Sequence, residues 1–361
     1  MNARFGRALR GDWRLDPSLI HLDHGAFGAA LGVALDAQDR WRERLERDPA
    51  GFMTETIMAA LAEVRADLAA FLGTDANALA LVGNSTDGLN AVLRSQDLVG
   101  RRVVATNLMH PGLRQALRGV GADLVTVPAL APDTFAEALT ADTALAVTAH
   151  VTSPGAVVLP VERICAACRE RGVATLVDGA HGPGMLPLDL AAIGADWYVG
   201  SGHKWLCAPK GTAFVWASEA RRDSLRPAIF AAERDQGFPV AFDWTGTRDA
   251  SAWLALPAAL DYWRATDMAA ARAYMGSLAV HAGERLAAAW GTEALAPPEM
   301  TAAMVAVRAP VDEPAHDLRR RLRRDHGIVV TVNTIAGAPW VRASFPIYAE
   351  AEDVERLAAS M

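Results

Sequence analysis

Two rhythms of apolar residues alternate along this chain. Short apolar runs that end in small or polar residues are followed by stretches in which apolar residues recur every three or four positions. The first rhythm predicts buried strands and the second amphipathic helices. Strands are expected at residues 79–82, 102–106, 124–127, 144–149, 174–177, 197–199 and 213–216. Helices are expected at 33–47, 54–72, 112–118, 134–139 and 161–171. The stripe Ile57, Leu61, Val64, Leu68 and Phe71 is the clearest, and Gly73 supplies its stop signal. Strand–helix alternation of this kind predicts an α/β fold, a mainly parallel sheet with helices on both faces. Past the last strand, 221–238 reads as a polar loop and 252–264 as a helix rich in Trp and Leu. A long Ala-rich helix at 268–290 suits a linker. Strands at 303–307, 328–332 and 340–343, with helices at 315–326 and 351–360, then predict a small α+β domain. The chain is thus expected to hold a large domain over 31–265 and a small C-terminal domain with its linker helix over 266–361.

Chemistry concentrates where the strands end. The run 174–177 stops at Asp178, with His181 three residues on. The run 197–199 stops at Gly200-Ser201-Gly202, followed at once by His203 and Lys204. Ligands of open α/β sheets bind beyond the carboxyl ends of the strands, so these charges belong to one rim. A lysine there can form a Schiff base with an aldehyde, and a carboxylate can hold a pyridinium nitrogen protonated. The plainer alternatives are a helix cap for Asp178 and a solvated surface lysine for Lys204. The shared stretch of polar residues and glycines favours a cofactor site. Lys210, in Pro209-Lys210-Gly211, lacks such a polar cradle.

Other strand ends add candidates. Gly83-Asn84-Ser85-Thr86 before a helix can cradle a phosphate with backbone N–H groups and hydroxyls, or simply cap the helix. His110 can stack on a ring or cap the helix after Pro111. Arg342 lies in an apolar strand, where a buried guanidinium needs a partner such as a substrate carboxylate. A solvent-facing arginine or an internal pair is the alternative.

The segments DGAHGPGMLPLDL, GSGHKWLCAPKGTAFVW and WTGTRDASAWLALPAAL together resemble the class V aminotransferase group of fold-type I pyridoxal phosphate (PLP) enzymes. The nearest likeness is to the isopenicillin N epimerase-like subgroup, and it covers nearly the whole chain. The resemblance implies the fold-type I architecture and PLP as cofactor. It implies a Schiff base at Lys204, Asp178 at the ring nitrogen, and His181 near the phenolic oxygen. Thr152 or Ser153, in His150-Val151-Thr152-Ser153-Pro154-Gly155, would stand beside that same oxygen. Ser85, Thr86, Ser201 and His203 would bind the phosphate, and His110 would stack on the ring. Gly246 and Thr247 would come from the partner subunit of a homodimer and complete the phosphate site. Arg342 would hold the substrate's α-carboxylate. Residues 1–30 would reach the site entrance, with His24 and Gly25 touching substrate.

Composition narrows the alternatives. The 361 residues are 52% hydrophobic and 21% charged, with a net charge of −7, which gives nucleic-acid binding no electrostatic support. No signal-peptide core and no run of about 18 apolar residues is visible, so a cytoplasmic enzyme without a membrane span is expected. Cys165 and Cys168 have CxxC spacing, but no second pair completes a zinc site, so no metal is expected. The expected reaction acts at the α-carbon of an amino-acid-type substrate, with epimerisation ahead of transamination and β-eliminating C–S lysis. Persulfide-forming desulfuration would need a nucleophilic cysteine on a late loop, and none follows Cys207. A PLP-binding protein without turnover is the alternative from another class.

Overall fold

A computed structural model describes residues 5–131 and 133–361. Residues 1–4 of the expected N-terminal segment lie outside the described residues. The central sheet has seven strands: β1 (Leu79–Val82), β2 (Arg102–Thr106), β3 (Asp123–Val127), β4 (Thr143–Ala149), β5 (Ala174–Gly179), β6 (Trp197–Ser201) and β7 (Ala213–Ala217). Their spatial order is β1-β7-β6-β5-β4-β2-β3. β7 alone runs against its neighbours, and every other pair is parallel. The carboxyl ends of β1, β2, β4, β5 and β6 therefore share one rim.

Strand alternation sorts side chains to opposite faces. Val103 and Ala105 pack into one apolar core and Val104 into the other, on the far side of the sheet. The sheet and the helices over it make the α/β architecture that the strand–helix alternation predicts.

Two strands run further than their apolar runs. β5 continues through Asp178 and Gly179, and β6 through Gly200 and Ser201, because pairing persists to the rim: β5 and β6 with each other in parallel, and β6 with antiparallel β7. The glycines make this possible. A Cβ on Gly179 would sit 2.0 Å from the Tyr198 ring, and one on Gly200 would sit 2.3 Å from the Phe214 ring.

A second, antiparallel sheet has three strands, β8 (Met304–Arg308), β9 (Thr331–Ile335) and β10 (Ala338–Ser344), in the order β9-β10-β8. The helix Met268–Trp290 covers it, capped by Asp267 and ended by left-handed Gly291. Two expectations need correction. The run 328–332 is two strands. Ile328–Val329 pairs in parallel with Ile20–His21, and β9 begins beyond Val330 to pair with β10. Ile20 and Leu22 thus enter the apolar core beside this second sheet with Leu318, Leu322 and Val341. The helix expected at 252–264 is Ser251–Leu254 and Leu256–Arg264, broken at Ala255. Pro257 lacks the N–H that would continue it.

Candidate functional site

The lysine turn is held from three sides. The N–H groups of Gly202 and His203 both donate to the Thr212 carbonyl, and Cys207 N–H donates to the Lys204 carbonyl at 3.0 Å. The N-terminal segment lies directly on this turn. A Cβ on Gly28 would fall 1.8 Å from the His203 carbonyl oxygen. His24, fully buried, places Nε2 3.0 Å from the Lys204 carbonyl and Nδ1 3.0 Å from the Tyr348 hydroxyl. A carbonyl can only accept, so Nε2 carries the proton and Nδ1 accepts from Tyr348. Burial pushes the His24 pKa down to about 3, which keeps this tautomer neutral.

Lys204 Nζ stands 3.4 Å from His181 Nε2. His181 Nδ1 accepts from the Trp205 indole at 3.4 Å, which leaves the proton on Nε2, facing the amine. Burial, and then the charges of Lys204 and Arg342, hold the His181 pKa well below its usual range. The Lys204 pKa is lowered to about 8, first by burial and then by Arg342, against the opposing pull of Asp178 and Asp23. Asp178 is buried in β5, opposite Ala149 and Val199, and accepts from Ala180 N–H at 3.1 Å. Burial raises its pKa, while that N–H and the charges of Lys204 and His110 oppose the rise. A half-buried amine with a lowered pKa and a buried carboxylate thus share one rim, the setting in which functional groups acquire shifted pKa values.

Hydroxyls gather beside them. Ser85 Oγ and Ser201 Oγ are 2.5 Å apart, which joins the first turn of the helix Ser85–Arg94 to the end of β6. Thr86 is exposed on that same turn, and Asn84 caps it. His203 donates through Nδ1 to the Thr212 carbonyl, which leaves Nε2 free of that bond. His110 caps the helix Pro111–Gly119, with Nδ1 accepting from Gly112 N–H at 3.0 Å, and its ring remains exposed. The capping reading is therefore realised, and the charge coupling to Asp178 and Lys204 puts the same ring beside the rim.

Thr152 and Ser153 turn out to do different things. Thr152 Oγ1 accepts from Val157 N–H within its own turn. The Ser153 carbonyl accepts from Arg342 Nη1 at 2.5 Å. Arg342 is buried, its Nη2 lies 3.1 Å from Thr331 Oγ1 and 3.6 Å from Asp23 Oδ1, and its Nε has no partner. Gly25 N–H donates to Ser344 Oγ at 3.0 Å. Gly246 and Thr247 are exposed, and neither hydrogen-bonds to the Lys204 rim among the described residues.

Sequence reading missed Asp23, Thr331, Tyr348 and Trp205. Asp23 lies next to His24, within the segment 1–30 expected at the site entrance. Thr331 could be found only from the β9–β10 register, which sets it opposite Arg342. Among the described residues no group of three or more His, Cys, Asp or Glu side chains could hold a metal. Cys165 and Cys168 are buried on the helix Val161–Glu170, and burial pushes the Cys165 thiol up to about 12. No helix among those residues is long and apolar enough to cross a membrane.

Comparison with known proteins agrees with this geometry. The profile of the family described as Aminotransferase class-V matches residues 47–357. Isopenicillin N epimerase of Streptomyces clavuligerus is 32% identical, over 98% of this chain and 96% of that protein. L-cysteine desulfhydrase of Arabidopsis thaliana is 29% identical, over 94% of this chain and 86% of that protein. A C-DES variant with glycine covalently linked to its PLP cofactor superposes with a TM-score of 0.85, at 23% identity, over 97% of this chain and 98% of that one. The residues present suit such a cofactor: a half-buried lysine with a lowered pKa, a buried carboxylate on the same rim, and paired hydroxyls at a helix N-terminus. The chain belongs to the class-V aminotransferase family, and its cofactor is pyridoxal 5′-phosphate.

Proposed function

We propose that this protein is an enzyme that moves the α-proton of an amino acid, or of a substrate containing one, and that it acts as an epimerase or racemase. The observation that carries this reading is the pairing of Lys204 with Arg342. One is a half-buried lysine whose pKa is lowered to about 8, first by burial of its amine and then by Arg342, and the other is that fully buried guanidinium. PLP, when bound, supplies the electron sink that makes the α-proton acidic. Lys204 would hold the aldehyde, and as a free amine it would take the α-proton from one face; epimerisation follows when a proton is delivered to the opposite face. His181, held neutral with Nε2–H toward Lys204 Nζ, orients the amine. Asp178 would pair with the ring nitrogen. Ser85, Thr86, Ser201 and His203 would hold the phosphate, His110 would cover the ring, and Thr152 would serve the phenolic oxygen. Arg342 holds the α-carboxylate, while His24 and Gly25 close the entrance.

A second reading is a β-eliminating C–S lyase, and the similarity to L-cysteine desulfhydrase favours it. Relay of sulfur through a cysteine persulfide fits less well. Cys207 is fully buried, 3.6 Å from His24 Nε2, and burial pushes its thiol up to about 12. We read residues 31–265 as the large domain, 266–361 as the small one, and Gly246 with Thr247 as a contribution to a partner's phosphate site in a homodimer. Sedimentation of wild type and of Thr247→Ala, with cofactor affinity read in parallel, tests the last point.

The reaction is tested by incubating holoenzyme in heavy water with L- and D-amino acids, sulfur-containing ones included. Deuterium at the α-carbon with loss of chirality is the expected result. Keto acid with sulfide, and no scrambling of the remaining amino acid, identifies the lyase. A pure binder would give neither, and Lys204→Ala would then abolish only its covalent chromophore.

A further inference from the structure

Arg342 is almost fully enclosed, yet its five N–H donors are unevenly occupied. Nη1 donates to the Ser153 carbonyl at 2.5 Å, with Ser153 Oγ at 3.4 Å. Nη2 donates to Thr331 Oγ1 at 3.1 Å. The Thr331 hydroxyl in turn donates to Asp23 Oδ1 at 2.5 Å. Nε alone is buried without a partner.

A hydroxyl has one proton. When Asp23 takes it, the Thr331 lone pairs must face Nη2. Asp23 Oδ1 is 3.6 Å from Nη2, an ion pair too long for a direct hydrogen bond, so Asp23 acts on the guanidinium by its charge and, for position, through the Thr331 hydroxyl. Three segments meet at this one side chain: the N-terminal segment at Asp23, the turn after β4 at Ser153, and β9 at Thr331.

We infer that Asp23 is a positioning residue for Arg342. By fixing the Thr331 hydroxyl it anchors the terminal nitrogens and leaves Nε as the edge that receives the substrate carboxylate. This rests on the reading of Arg342 as the carboxylate site. It makes a distinction that charge alone does not. Asn can still accept the Thr331 proton but carries no charge, whereas Ala can do neither. If position matters, Asp23→Asn keeps carboxylate recognition and Asp23→Ala loses it. If Asp23 merely competes with substrate for the guanidinium, removing it tightens carboxylate binding.

The test uses holoenzyme and a matched pair of probes, L-alanine and L-alaninamide, with binding read from the visible absorbance of the cofactor. Wild type should bind the carboxylate in preference to the amide. Asp23→Ala and Thr331→Val should each weaken L-alanine binding about tenfold and leave L-alaninamide binding unchanged. Asp23→Asn should stay within about threefold of wild type. The double variant Asp23→Ala/Thr331→Val should be no worse than either single one, because both cut the same chain. In turnover the loss should appear in KM, with kcat held. Unchanged amide binding shows that a variant is folded, and Thr331→Val serves if Asp23→Ala is not. Equal losses in Asp23→Asn and Asp23→Ala, tighter L-alanine binding in Asp23→Ala, or no change in either Asp23→Ala or Thr331→Val would overturn the inference. A wild type that does not distinguish carboxylate from amide would instead sink the reading of Arg342 itself, and this inference with it.

Discussion

Two cations belong to one candidate site, and their surroundings treat them in opposite ways. Lys204 has a neutral histidine 3.4 Å from its amine, and burial with the Arg342 charge lowers its pKa to about 8. Arg342 is the more enclosed of the two, but Ser153, Thr331 and Asp23 surround its terminal nitrogens with oxygens. One group is arranged to give up its proton near neutral pH. The other keeps its charge at a modest cost, because a guanidinium titrates far above the working range. Burial alone therefore does not decide what a buried cation does. The partner set decides it.

The contrast can be broken at each end. Lys204→Ala should have the largest effect: turnover should fall by ~1000-fold or more, and the borohydride-sensitive visible absorbance should vanish. Asp178→Asn should lower kcat about 100-fold with little change in KM, checked by steady-state kinetics. Arg342→Ala should raise KM for carboxylate substrates between about tenfold and 100-fold. The same variant should also move Lys204. With the Arg342 charge gone, the ammonium is less disfavoured and its pKa rises from about 8. The midpoint for acylation of Lys204 in cofactor-free protein, followed by mass spectrometry against pH, should therefore shift to the alkaline side. No shift would show that the two cations are uncoupled.

His24 gives a smaller, structural effect. Its folded pKa, about 3, lies below the unfolded value, so the folded form binds the proton less well. Its contribution to stability is present above about pH 6.5 and is lost as pH falls toward about 3. Thermal melts of wild type should show that loss, and His24→Asn should flatten it. An unchanged slope would mean that other groups dominate.

How much was readable in advance follows from range. The β1 to β7 runs and the Asp178 and Lys204 strand ends are local signals, and the structure places them close to where the periodicity put them. Strand ends came out short at Asp178 and Ser201, because polar and glycine residues end an apolar run before they end hydrogen bonding. The Arg342 surroundings were not readable. Asp23 and Thr331 are 308 residues apart, and only folding brings them together. Likewise, Ile20–His21 joins Ile328–Val329 through a parallel pairing that no local pattern announces. Local chemistry identified the lysine. Long-range register was needed to see what holds the arginine.

The most direct test of the central claim is deuterium incorporation at the substrate α-carbon in heavy water, with chirality read on the recovered amino acid. The account predicts incorporation with loss of chirality in wild type and none in Lys204→Ala. Incorporation that persists in Lys204→Ala would contradict it, because the α-proton would then be moving through some other group.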